Sequence, residues 1–256
     1  MYEELRNQVI SLLSKQARLD GRKPHEYREI KIETGVSKNA EGSAKVKIGD
    51  TEVIAGVKLE VMKPYPDTPD NGSMMVNVEL CPMSSPEFET GPPDIFAIEL
   101  ARITDRAIRE SKTLDTKKLC ITPGEKVWMV VIDVCTLNDA GNLYDAIYLA
   151  AMAAMKDAVF PAFDGEKLDY KNKTKEKLPL SRVPVSVTVF KYGDHILVDP
   201  MNEEEKAFDA RLTVGVLENG NLCSLQKGGD TAVVADDIFR MVDLAKQKSQ
   251  ELRKHL

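Results

Sequence analysis

ARLDGRKPHEYREIKIETGVSKNAEGSAKVKIGDTEVIAGVKLEV, residues 17–61, opens as a basic, glycine-turned segment and continues as three alternating strands. Ile30 and Ile32 alternate with charged residues, and so do Val46 and Ile48. After the Gly49-Asp50 turn, Val53, Ala55, Val57, Leu59 and Val61 carry the alternation on. Successive side chains of a strand leave opposite faces, so the pattern predicts one face buried and one wet for each strand. Before this stretch, residues 1–16 read as an amphipathic helix with Leu5, Val9, Leu12 and Leu13 at helical spacing. They lack the uninterrupted apolar run and small-residue cleavage site of a signal peptide.

Downstream, residues 63–73 hold three prolines and read as a loop, and 74–81 return to strand alternation until Pro82. Asp94 is placed to cap a helix over 94–111 with an apolar stripe of Phe96, Leu100, Ile103 and Ala107. Strands are predicted at 118–122 and 126–137. Asn142 then opens an Ala-rich helix, ended by Pro161, whose small apolar residues on nearly every face predict a central, buried position. Residues 167–177 carry five lysines and no apolar period, so 167–182 is predicted to be a linker. Four more strands, at 183–192, 195–199, 210–217 and 222–225, lead to a last helix over 231–254 that packs Val234, Ile238, Met241, Val242 and Ala245. The fold class is α+β with mixed sheets on helices. An N-terminal helix (1–16) precedes domain 1 (17–166), a linker (167–182) and domain 2 (183–256).

Composition narrows the function classes. With 43% hydrophobic and 30% charged residues the chain is globular, and a net charge of −6 weighs against a general basic coat for nucleic acid while leaving room for a local basic channel. No apolar stretch approaches the roughly 20 residues that cross a bilayer, so no membrane partner is expected. Cys81, Cys120, Cys135 and Cys223 form no CxxC and read as free buried thiols of a reducing cytoplasm, not as a zinc site or redox pair. His25, His195 and His255 share no ligand spacing, and Gly228-Gly229 lacks the Lys-Ser/Thr of a phosphate loop. Neither metal nor cofactor is expected.

Four short motifs carry a resemblance. Leu19-Asp20-Gly21-Arg22, Glu33-Thr34-Gly35-Val36, Glu41-Gly42-Ser43-Ala44 and Gly49-Asp50-Thr51, in order and with strands between them, resemble the opening of the RNase PH family of phosphorolytic exoribonucleases. That resemblance implies an RNase PH-like pair of domains with a ribosomal protein S5 domain 2-like core. Phosphorolysis needs donors for a phosphate dianion, a carboxyl group near the scissile bond and positive charge along the RNA. Active members place phosphate at a Gly-Gly turn into the central helix, followed by a hydroxyl residue and an Arg. Here Ala140 replaces the first glycine, Asn142 the hydroxyl residue and Leu143 the Arg, while Asp145 adds a negative charge to the first helical turn. Asn142 and Asp145 read more simply as caps of that helix.

Active members also place two aspartates six residues apart after a strand of the second domain. HILVDPMNEEEK supplies Asp199 and, at the second position, Glu205. The simpler reading of Glu203, Glu204 and Glu205 is a solvated acidic loop, with Asp199 a structural remnant. Arg102, Arg106 and Arg109 share one face of the 94–111 helix, which is neutral overall and admits an Asp105–Arg109 pair. The stretch LARITDR resembles one that lines the RNA path in family subunits of exosomes, and it implies Arg102 and Arg106 as RNA-binding residues, with Arg109 a weaker match. Within the family the chain is most similar to the non-catalytic RNase PH-type subunit of the archaeal exosome. This implies a cytoplasmic protein with no catalytic residues of its own. It would alternate with a catalytic sister in a heterohexameric ring, bind single-stranded RNA and meet RNA-binding cap proteins. The alternative is an active phosphate-dependent 3′-to-5′ exoribonuclease using Asp199 and Glu205.

Overall fold

The computed structural model describes residues 2–256, with the side chain of Tyr2 left aside. After α1 (Tyr2–Leu13), the alternating stretch forms β1 (Ile30–Thr34), β2 (Gly42–Ile48) and β3 (Thr51–Met62), joined antiparallel in that order. Val46, Ile48, Val53, Ala55, Val57 and Leu59 are all fully buried, as the period-two pattern predicts. β4 (Ser73–Glu79), α2 (Ile95–Glu110), β5 (Cys120–Thr122) and β6 (Lys126–Asn138) follow. The first sheet runs β1-β2-β3-β6-β4, with β5 on β6; β4 lies parallel to β6 and forms the sheet's edge.

α3 (Leu143–Asp157) follows β6, and every residue from Leu143 to Met155 is buried. It packs on β2 and β3 and also on the second sheet through β9 (Val185–Tyr192). Its alanines let both sheets approach closely. A Cβ on Gly42 would stand 2.3 Å from the Ala154 carbonyl oxygen, so the β2 backbone rests directly on the last turns of α3. The second sheet is antiparallel, in the order β10 (His195–Val198), β9, β11 (Ala210–Val216) and β12 (Leu222–Gly228). α4 (Asn202–Glu205) is a single turn between β10 and β11, and α5 (Ala235–Leu252) packs on β9 and β11. All eight residues of β9 are buried because one face meets α3 and the other α5. α2 packs on β4, α3 and β12.

Three expectations are corrected. The central helix ends at Asp157, short of Pro161, which lies within β7 (Val159–Phe163) of a separate two-stranded sheet where a missing N–H is tolerated. Most of the segment read as a linker is strand: β8 (Leu168–Lys177) pairs with β7. Nine of its ten residues are exposed, so both faces stay wet and no apolar alternation marks it. α5 begins later than expected and buries Met241, Leu244, Ala245 and Leu252, while Val234 and Ile238 are 65% and 38% exposed, with Phe239 beside them at 67%. No helix among the described residues is long and apolar enough to cross a membrane.

Candidate functional site

The strand-turn-helix from β6 into α3 lies against the loop that carries Asp199 and Glu205. Gly141, at φ +92°, passes so close to that loop that a Cβ would stand 2.5 Å from the Pro200 carbonyl oxygen. Thr51 Oγ1 donates to the Gly141 carbonyl at 2.6 Å, and Asn202 Nδ2 donates to the Asp139 carbonyl at 3.0 Å. The free amides at the start of a helix favour an anion. The group that meets them belongs to the chain: Asn142 N–H donates to Glu205 Oε1 at 2.7 Å. Leu143, the first residue of α3, is buried in the core.

Asn142 stands at the N-cap position, yet its side chain does not cap the helix. Its backbone is left-handed (φ 59°, ψ 41°), and its Nδ2 donates instead to Asp145 Oδ2 at 3.1 Å and Asp199 Oδ1 at 3.0 Å. Asp145 is no exposed first-turn charge either. It is fully buried and accepts from Tyr27 Oη at 2.7 Å and from Thr188 N–H at 2.9 Å, tying the entry segment and β9 to α3. Burial pushes its carboxyl up to about 7, against the pull of these donors.

Asp199 is fully buried in a left-handed turn (φ 50°). Arg28 Nη2 donates to its Oδ1 at 2.7 Å, and Arg22 Nη1 and Arg28 N–H each donate to its Oδ2 at 2.8 Å. Burial alone would raise its pKa, but Arg28, with Arg22 behind it, holds Asp199 below the usual carboxylate range. Arg28 is itself committed, since its Nη1 and Nη2 also donate to the carbonyls of Ala140 (2.7 Å) and Gly141 (3.0 Å). Of the acidic triplet only Glu203 is solvated. Glu204 is fully buried and paired with Arg18, whose Nε lies 3.1 Å from Oε1, and the half-buried Glu205 is pushed up to about 8 by burial. Lys206 pairs outward with Glu87 at 2.5 Å. The cleft alongside is walled by Phe88, Phe96, Tyr144 and Phe208, and Glu87, Asp139, Glu203 and Glu205 line it as acids. Carboxylates and aromatic rings thus occupy ground where phosphorolysis wants a cradle for a dianion.

Arg18, Arg22, Arg28 and Tyr27 do most to hold this arrangement, and sequence reasoning missed their roles. Their one signal was the density of basic residues in residues 17–28, ahead of the first strand. The arginines of α2 lie elsewhere. Arg102, Arg106 and Arg109 are all exposed on the face opposite the buried Leu100, Ile103 and Ala107. Arg106 Nη1 donates to Gln226 on β12 at 2.6 Å, and Arg109 pairs with Asp105 at 2.7 Å, whereas Arg102 makes no ion pair among the described residues. Arg102 and Arg106 border a shallow cleft with the exposed Ile95 and Ile98. The four cysteines are free, as expected, but partly exposed, and the fold brings Cys81 next to Cys135.

Two sheets sharing one buried helix, with a strand-turn-helix at the junction, define a two-domain exoribonuclease-type fold. The chain belongs to the 3′ exoribonuclease (RNase PH) family: domain 1 of the family matches residues 26–161 and domain 2 residues 182–248. It is 44% identical over 257 aligned residues to exosome complex component Rrp42 of Methanothermobacter thermautotrophicus, covering 99% of this chain and 94% of that protein. Among solved structures it is similar to a chain of the Archaeoglobus fulgidus exosome with RNA bound to the active site (TM-score 0.91, 42% identity, 99% and 98% covered). It is likewise similar to a chain of an archaeal exosome core (TM-score 0.86, 39% identity, 99% and 96% covered).

Proposed function

We propose that this chain is the non-catalytic ring subunit of an exosome. In this reading it alternates with a catalytic RNase PH-type sister in a heterohexameric ring beneath RNA-binding cap proteins. It holds single-stranded RNA through Arg102 and Arg106, and it shapes the sister's active site while the sister performs 3′-to-5′ phosphorolysis. Similarity to exosome components over nearly the whole chain supports the assembly. Catalytic silence rests on one observation: the Glu205 side chain accepts the Asn142 N–H at the α3 N-terminus, where a phosphate nucleophile would have to sit. A dianion brought there finds the Asn142 amide already taken by Glu205 and no uncommitted arginine, since Arg22 and Arg28 are consumed by Asp199 and turn carbonyls. The same contacts weigh against Asp199 as the working acid of such a pair. A general acid needs a proton to give, and the paired arginines keep Asp199 ionised.

RNA decay measured with and without phosphate, for the chain alone and then with a catalytic family partner, tests the reading. The chain alone is expected to release no nucleoside diphosphate, and the pair to release it only with phosphate. Phosphate-dependent release by the chain alone, abolished by Asp199→Asn, would replace this reading with the enzyme.

A further inference from the structure

The pleat of the first sheet gathers three metal-ligating side chains on the face turned away from α2 and α3. Glu79 ends β4, and Cys81 follows two residues later on the same side of the chain. Cys135 is the register partner of Glu79 across the parallel β4–β6 ladder. A carboxylate oxygen of Glu79 and the two sulfurs all lie within 4.8 Å of one another, and no other such group of three occurs among the described residues. The Cys135 thiol already points at Glu79 Oε2, 3.9 Å away.

The surroundings hold the ligands in place and leave them accessible. Cys81 is fixed through both of its peptide groups: its N–H donates to Thr136 Oγ1 at 2.9 Å, and its carbonyl accepts from Ser84 Oγ at 2.6 Å. Glu79 is exposed, and both cysteines are partly so. Glu79 makes no ion pair among the described residues, and the neighbouring Asp133, held by Asn77 at 2.8 Å, adds more negative charge. The cluster lacks a positive charge.

We propose that Glu79, Cys81 and Cys135 form a binding site for a thiophilic divalent cation of the Zn2+ class, with water as the fourth ligand. Two sulfurs and one carboxylate oxygen suit a borderline-soft tetrahedral ion, whereas Mg2+ and Ca2+ take all-oxygen shells. Binding forms two metal–thiolate bonds, releases the two thiol protons to water and leaves the metal's oxidation state unchanged. The ion would tie the end of the edge strand β4 to β6. The sequence hides such a site because its ligands come from the end of β4, the loop after it and β6, brought together by the parallel pairing, not from one CxxC turn.

The test uses the full chain, reduced and stripped of metal, with Co2+ as the spectroscopic probe and Zn2+ as competitor. A single equivalent of Co2+ should give thiolate-to-metal charge-transfer absorption and tetrahedral d–d bands that Zn2+ abolishes. Cys81→Ser and Cys135→Ser should each remove the charge-transfer band, while Cys120→Ser and Cys223→Ser keep it. Glu79→Gln alters only an exposed side chain and so keeps the fold; it should weaken Zn2+ binding at least about tenfold, the scale of losing even an outer-shell partner. The proposal is overturned if no charge-transfer band forms, if the band depends on Cys120 or Cys223, or if Glu79→Gln binds Zn2+ as wild type does. It is equally overturned if the two thiols are found joined as a disulfide and the reduced chain then takes up no metal.

Discussion

Replacing Glu205 with Gln separates a carboxyl built into the turn from an incidental surface acid. Burial pushes the Glu205 carboxyl from its ordinary 4.5 up to about 8, against the Asn142 N–H that favours ionisation. Because the folded protein holds this proton more tightly than the unfolded chain, the group's contribution to stability is complete below about pH 4.5 and is lost as pH rises through about 8. A displacement of that size corresponds to about 5 kcal/mol if expressed in full. Glu205 also lines the cleft and keeps part of its surface in water, so we expect about half of that, ~2–3 kcal/mol. Gln can still accept the Asn142 N–H but cannot titrate. Glu205→Gln should therefore lose less stability than wild type between pH 5 and 8, and should be the more stable protein above pH 8. Asp145, pushed up to about 7, titrates in the same window in both proteins, so neither profile becomes flat. Asp199 has the opposite sign: held low, it contributes above its unfolded pKa and is lost only in acid. Denaturant unfolding at half-unit steps from pH 5 to 9, followed through the single, buried Trp128, measures the difference. Parallel stability profiles for the two proteins would show that Glu205 is ionised and solvated across this range, and the argument for a buried carboxyl that holds its proton would fail.

Two further outcomes follow from the same geometry. Changing Arg102 and Arg106 together to Glu should weaken single-strand RNA binding by the assembled complex and shrink its log–log salt slope by about 0.7 per lost contact. Unchanged slope and affinity in complexes of equal size would reduce the pair to a solvated helix face. Arg18→Ala strands the fully buried Glu204 carboxylate without its ion pair, and should cost about 3–5 kcal/mol in denaturant unfolding near neutral pH. A loss under about 1 kcal/mol would mean that the pair contributes little net stability.

The elements of this fold were legible where local pattern and burial agree. The alternation of residues 46–59 matches β2 and β3, and the Ala-rich composition of residues 143–155 marks α3 as the central helix. Of the site, only the turn ahead of α3 was legible, with Asn142 and Leu143 at its exit. What fills the turn could not be read, because its partners are distant in sequence. Arg28 meets Asp199 across 171 residues, and Asn142 meets Glu205 across 63. A run of three glutamates looks the same whether it faces water or is drawn inward by Arg18 and a helix N-terminus. The pairing of Cys81 with Cys135 was hidden for the same reason, and α5 was misjudged because apolar residues at its start face outward.

The position of α3 has a consequence for how this chain folds. The helix is contributed by the part of the sequence that matches the family's first domain, yet β9 of the second sheet closes directly over it, and Asp145 is hydrogen-bonded to the Thr188 amide. A second half made alone would expose the inner face of β9, and a first half alone would leave α3 open along one side. The two sequence domains therefore share one cooperative unit. Hydrogen exchange in the middle of α3 and in β9 should report a single opening reaction with one free energy, not two.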